Sequence, residues 1–164
     1  MESNKSLVLI NIFQNLLKAT EKLHQLLLRE TDALDTKSSS SLNNITADKE
    51  LVIKTINHLT LQQNEFLQSF NLSGQKEGLA RYMAQVANDD PHHGPELKTY
   101  WTKITETLEK CHQINQQNGA RIELFSRHTE RTLDIILGQS DLPYTYGPTG
   151  IKEKERNRQT TISV

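Results

Sequence analysis

The sequence predicts an all-α protein, an antiparallel bundle of long helices with a flexible C-terminal tail. Its 164 residues include 7 Gly and 4 Pro, too few for the many turns of an all-β fold. Hydrophobic residues make up 35%, below the roughly 45–50% of an average globular domain. Such a composition suits thin apolar stripes on amphipathic helices, and it does not supply the apolar strands of a parallel sheet.

The first predicted helix covers residues 6–35. Apolar residues recur there every three or four positions from Leu9 to Ala33, and two neighbouring rows of them make a broad core-facing side. Ser6 is the predicted N-cap. The run DTKSSSSLNN, residues 35–44, is predicted to be a connection, because serine and asparagine are poor helix formers.

The second helix is predicted over residues 47–71, with Thr46 as its cap and acidic residues in its first turn. A shorter helix is predicted over 75–87. Two prolines and a glycine between residues 91 and 95 then break the chain.

The longest predicted helix covers residues 95–138, about 65 Å at 1.5 Å per residue. It carries a heptad seam of the coiled-coil type. The seam consists of Leu97, Trp101, Ile104, Leu108, Cys111, Asn115, Asn118, Ile122 and Phe125.

These helices predict a bundle domain over residues 1–138 and a docking tail over 139–164, whose Pro, Gly and charged residues cannot form a core of their own. High burial is expected at seven positions of the bundle, namely Leu16, Leu23, Ile56, Leu59, Trp101, Ile104 and Leu108.

The net charge and the composition argue against several classes of partner and site. The formal net charge is −1 and the pI about 6.6, which does not indicate a nucleic acid or an anionic membrane as partner. The apolar run from Leu7 to Phe13 is too short for a membrane span and unlike a signal peptide. We therefore expect a cytoplasmic protein without membrane insertion. The single cysteine excludes an internal disulfide and a multi-cysteine zinc site.

Two groups of residues contain side chains of the kinds found at metal or catalytic sites. Carboxylates and imidazoles suit a metal, but the cluster of Asp89, Asp90, His92 and His93 lies in a Pro-Gly loop and is interpreted as a solvated loop. Cys111 and His112 are adjacent on a helix and point about 100° apart, so they do not suit a nucleophile and its base. No metal, cofactor or catalytic residue is predicted, and the chain is not expected to be an enzyme.

Asn115 and Asn118 place two amides on an apolar seam, followed directly by Gly119. A buried asparagine can fix helix register, whereas an exposed or bent turn would explain the same residues. Both interpretations stay open from the sequence.

Several short motifs follow each other along the second half of the chain. Trp101 and Ile104 precede INQQNG at 114–119, and YGPTG at 146–150 precedes a basic, Ser/Thr-containing ending Ile-Ser-Val. In this order and spacing, residues 97–164 resemble the FlgN-type flagellar export chaperones. The first half of the chain matches only as amphipathic helix.

The resemblance implies a small, non-catalytic cytosolic chaperone of the flagellar type III export system. Such a protein binds the C-terminal helical segments of hook-associated (hook–filament junction) proteins, prevents their premature assembly and delivers them to the export gate and its ATPase complex. A structural coiled-coil adaptor or oligomerisation subunit is the alternative, and a metalloenzyme using the Asp89–His93 loop is a third.

Two partner sites are expected. The first two helices are shorter than the last, so its later part should lack helical neighbours and expose a client-binding strip of Phe125, Leu133, Ile136 and Leu137. Contact with the export gate is expected at Tyr146 and Gly147 of the YGPTG motif and at Tyr144 beside them, where Pro143 and Pro148 restrict the backbone.

Overall fold

The protein is described by a computed structural model over residues 2–74 and 76–136. Four helices account for most of it, and the described residues contain no strand. They are α1 (Glu2–Asp35), α2 (Ser39–Gln68), α3 (Lys76–Asp89) and α4 (Gly94–Ile136). The predicted all-α class is confirmed.

The three long helices alternate in direction. A connection of three residues joins α1 to α2, and the ion pair between Glu30 and Lys49 lies close to it, so these helices are antiparallel neighbours. Contacts between α1 and α4 ascend together along both helices, from Gln14 with Tyr100 to Leu27 with Asn118, so α4 runs parallel to α1. The short helix α3 connects the end of α2 to the start of α4. The predicted bundle is confirmed.

The core consists of two clusters. The larger one draws on all four helices and includes Phe13, Leu67, Leu79 and Ile104. Trp101 stacks on Phe13 at its edge, with ring centroids 5.6 Å apart. The smaller cluster consists of Leu26, Ala33, Ile45 and Val52, with Leu23, Leu42 and Ile56 packed against it. Its members come from α1 and α2, so α4 supplies apolar side chains mainly to the larger cluster.

Both α1 and α2 end in a left-handed residue that is not glycine. Lys37 has φ 53° and Asn71 has φ 57°. After α1, the N–H of Ser38 donates to the carbonyl of Ala33 at 3.0 Å, and after α2 the N–H of Leu72 donates to the carbonyl of Leu67 at 3.1 Å. These six-to-one bonds define the Schellman motif, which satisfies carbonyls that the last turn would leave without partners.

Two predicted helix starts are wrong. Helix α1 begins at Glu2, and Ser6 lies buried inside it. Helix α2 begins at Ser39, within the serine run that was expected to be a loop, and Thr46 lies in its interior and donates to the carbonyl of Leu42. Burial of Ile45 against α1 outweighs the low helix propensity of the serines.

The predicted helix ends agree to within a few residues. Helix α2 ends at Gln68, three residues before the predicted end, and α3 continues to Asp89.

The predicted core is confirmed in part. Leu16, Leu59 and Ile104 are buried, while Leu23, Ile56 and Trp101 are half-buried.

Burial of Leu108 was predicted and is wrong, since 38% of this residue is exposed. The buried residues of α4 recur every seven positions at Leu97, Ile104, Cys111 and Asn118. Their half-buried neighbours at Tyr100, Thr107 and Ile114 follow three residues later, not four. Leu108 therefore belongs to the row that turns away from the core.

The chain divides into two compact units. The first is Met1–Ile122, and the second begins at Glu123 and includes the last part of α4. The predicted boundary between residues 138 and 139 lies outside the described residues. Among the described residues, each helix is too short or too polar in sequence to cross a lipid bilayer.

Candidate functional site

The second unit exposes the apolar strip that the sequence predicts. Phe125 is 44% exposed, Leu133 49% and Ile136 72%. At 100° per residue these three side chains fall within about 80° of one another around the helix axis. Their predicted exposure is confirmed and their predicted binding role stays a prediction, while Leu137 lies outside the described residues. We refer to Phe125, Leu133 and Ile136 as the apolar strip.

Polar groups occupy the opposite side of the same segment. Arg127 forms an ion pair with Glu123 one turn earlier, and Arg131 is exposed on the same side. The segment is therefore an amphipathic helix, the form in which one helix offers an apolar face to another. Leu124 is also exposed, to 65%, and was not among the predicted contacts because it lies off the heptad.

A buried polar cluster joins α4 to α1 and α2 in the first unit. Asn118 is 1% exposed. Its side-chain nitrogen donates to the carbonyl of Leu27 at 3.0 Å and to Glu30 Oε2 at 3.1 Å, and its oxygen accepts from the Thr31 hydroxyl at 2.9 Å. Lys49 of α2 donates to both oxygens of Glu30, at 2.9 and 3.0 Å. We refer to Leu27, Glu30, Thr31, Lys49 and Asn118 as the polar cluster.

The polar cluster resolves the two interpretations of the INQQNG motif. Asn118 is buried with its three side-chain hydrogen bonds made, while Asn115 and Gly119 are exposed. A Cβ added at Gly119 would have nothing within 4 Å. One asparagine of the motif thus fixes the lateral position of α4 against α1, and the other faces solvent.

Cys111 is a buried seam residue. Its thiol points at the carbonyl of Thr20, with Sγ 3.8 Å from the oxygen, and burial raises the pKa of the thiol above its ordinary value. His112 is exposed and its Nε2 lies 3.0 Å from Gln116 Nε2. The thiol is held in its protonated, unreactive form, which disfavours the pair as a nucleophile and base.

The loop between α3 and α4 contains a hydrogen bond between a histidine and an aspartate side chain. His93 Nδ1 lies 2.7 Å from Asp90 Oδ2, and this hydrogen bond is the main reason that the pKa of Asp90 lies below its ordinary value. The His92 ring lies beside His93, with centroids 5.0 Å apart. Within the described residues, no three His, Cys, Asp or Glu side chains converge as a metal site would require.

The predicted gate-binding residues Tyr144, Tyr146 and Gly147 lie outside the described residues, and their role stays a prediction.

Comparison with known proteins agrees with this architecture. A crystal structure of a flagella synthesis protein FlgN from Pseudomonas aeruginosa superposes with a TM-score of 0.62 at 25% sequence identity, covering 74% of this chain and 91% of that one. No curated protein sequence matches the chain. The profile of the family described as FlgN protein matches residues 5–154. Because that match spans most of the 164 residues, the chain belongs to the FlgN family.

Proposed function

We propose that this protein is a cytoplasmic chaperone of flagellar export, which binds the C-terminal helical segments of hook-associated proteins and keeps them from assembling early. Membership of the FlgN family supports a role in flagellum synthesis. The apolar strip is the observation that carries client binding, because it presents large side chains on one face of an amphipathic helix. This role is non-catalytic and needs no cofactor.

The strip suits a helical client. Exposed apolar side chains in contiguous patches typically mark interaction surfaces. A helix that lays its apolar face on a second helix is recognised through residues spaced three and four apart. The strip has this spacing from Phe125 through Thr129 and Leu133 to Ile136.

The use of the seam favours a chaperone over a coiled-coil adaptor. Leu97, Ile104, Cys111 and Asn118 are buried within the chain's own first unit. Leu108, Asn115 and Ile122 of the same seam are exposed, so only one of its two rows is left, and a zipper between copies needs both.

Replacement of a strip residue by aspartate tests the client site. Leu133→Asp and Ile136→Asp should each weaken binding of a hook-associated protein's C-terminal segment by about 2 kcal/mol or more, as expected for a central interface residue. Isothermal titration calorimetry measures the affinity. Because both residues are exposed, the circular dichroism at 222 nm and the melting midpoint should stay nearly unchanged.

Arg131→Asp provides the control, since Arg131 is exposed on the opposite side of the helix and its replacement changes the charge more. It should bind the client like the parent. If both strip variants unfold, these side chains belong to the core; if all three variants bind equally, the client site lies elsewhere.

We further propose that the loaded chaperone is delivered to the export gate and its ATPase complex through the tail, with Tyr146 as the main contact and Tyr144 and Gly147 beside it. The resemblance of residues 146–150 to the family's YGxxG motif supports this part of the proposal.

A further inference from the structure

A large apolar groove lies between α3 and the start of α4, within the first unit. Its volume is about 800 Å³, within the range of sites that hold ligands. The α3–α4 groove, as we refer to it, has Ala80, Ala84 and Ala87 along one side and Met83 and Trp101 among its walls. It contains no residue of the apolar strip, so an inference from it stands apart from the proposed client site.

The shape of the groove suits a helix. Ala80, Ala84 and Ala87 are exposed and recur at helical spacing on α3, so no long side chain there keeps another backbone away. The separation of packed helices is set by the side chains at their contact. Met83 and Trp101 are half-buried and offer a deformable thioether and a flat ring to an apolar side chain.

The charge of the groove indicates which helix it accepts. Lys76 and Lys98 belong to its lining, and no carboxylate of the described residues does. Both lysines are exposed, and neither forms an ion pair with a described residue. Two unpaired cations beside an apolar surface are complementary to carboxylates that flank an apolar face. The chain's own tail fits less well, because residues 152–158 carry four basic and two acidic side chains.

We propose that the α3–α4 groove docks an amphipathic helix of a partner protein, which presents large apolar side chains to the groove and carboxylates to Lys76 and Lys98.

Trp101 allows this proposal to be tested, because it is the single tryptophan of the chain and lines the groove. Two synthetic helical peptides of about 18 residues, or five turns, serve as probes. Both carry leucine at every third and fourth position; one has glutamate on the flanks and the other lysine. Titrated into the full-length protein, the glutamate peptide should shift Trp101 emission to shorter wavelength and bind about tenfold more tightly than the lysine peptide. Added salt should weaken its binding.

Charge reversal at the groove provides the second arm. Lys76→Glu/Lys98→Glu should weaken binding of the glutamate peptide about tenfold and strengthen binding of the lysine peptide. Lys54→Glu/Lys110→Glu is the matched control, since both lysines are exposed and lie outside the groove. It should bind like the parent. Ala84→Glu, which places a long carboxylate side chain in the groove, should weaken binding of both peptides, and binding of the glutamate peptide more. Far-ultraviolet circular dichroism checks that every variant folds.

Four results would overturn the proposal. Two of them concern the peptides: no shift of Trp101 emission with either one, or equal affinity for both. The third is a red shift of Trp101 emission when residues 139–164 are deleted and no peptide is present, which would place the tail in the groove. The fourth is a red shift on dilution alone, which would place a second copy there.

Discussion

Asn118 joins α4 to α1 through hydrogen bonds that also satisfy buried atoms of the partner helix. Its side-chain nitrogen donates to the carbonyl of Leu27 and to the carboxylate of Glu30, and its oxygen accepts from the hydroxyl of Thr31. Glu30 is itself 4% exposed and is paired with Lys49. A charge at such depth is tolerated because it is both paired and hydrogen-bonded.

Removal of the Asn118 amide should be costly. Asn118→Ala removes three hydrogen bonds to α1 and leaves a void at a buried position, so the free energy of unfolding should fall by about 2 kcal/mol. Asn115→Ala is the matched control three residues away; because Asn115 is exposed, its loss should stay within about 0.5 kcal/mol. Urea denaturation followed at 222 nm measures both. Equal losses would show that the hydrogen bonds of Asn118 contribute no more than an exposed amide.

The different environments of these asparagines could not be read from the sequence. Both lie on the heptad seam, and the sequence leaves burial and exposure open for both. The structure buries one row, at seven-residue spacing, and exposes Leu108 and Asn115 of the row that follows it four residues later, whose first member Trp101 is half-buried. The choice depends on the direction from which α1 approaches α4, which is a property of the packed bundle and not of either helix alone.

The sequence predicted the number, order and approximate extent of the helices, because their apolar periodicity is long and regular. It failed at the start of α2, where local propensity and tertiary packing disagree. The serines favour a loop, but Leu42 and Ile45 pack against α1. Because this packing favours helix at these positions, α2 begins at Ser39. The exposed strip on α4 was predictable because it needs only the periodicity and the lengths of the neighbouring helices.

The end of α1 contains backbone strain that glycine should relieve. Lys37 has φ 53°, in the left-handed region where a Cβ costs about 1–2 kcal/mol. Lys37→Gly removes that cost but gives the unfolded chain more freedom, so the free energy of unfolding should rise by about 0.5–1 kcal/mol. Lys37→Ala keeps a Cβ and should bring no such gain. Thermal and urea denaturation compare the three proteins; an equal gain in both variants would trace the effect to the lysine side chain and not to φ.

Single substitutions should separate client binding from gate docking. Tyr146→Ala should leave client affinity within about 0.5 kcal/mol of the parent, because Tyr146 is not part of the proposed client site, yet weaken capture of the client-loaded complex by the purified cytosolic domain of the export gate. Leu133→Asp should show the reverse pattern, because it weakens client affinity directly. Biolayer interferometry with the immobilised gate domain distinguishes them.

Two results would argue against separate sites for the client and for the gate. Equal gate binding by the parent and by Tyr146→Ala would remove the tyrosine from the proposed gate site. A large loss of client affinity in the same variant would show that the tail and the apolar strip form a single site.

The parallel course of α1 and α4 also sets an order of folding during synthesis. The contacts of α1 with α2 can form once Gln68 has left the ribosome, but those with α4 join residues 86 to 91 positions apart in the chain. Asn118 follows Gln68 by 50 residues, which at about 5–20 residues per second means a delay of roughly 3–10 s. For the first 33 residues of that stretch, roughly 2–7 s at the same rate, Phe13 lacks the Trp101 ring that stacks on it. The newborn chain therefore passes through a helical hairpin with an open apolar side, and it is in this interval that the protein itself most needs protection from aggregation.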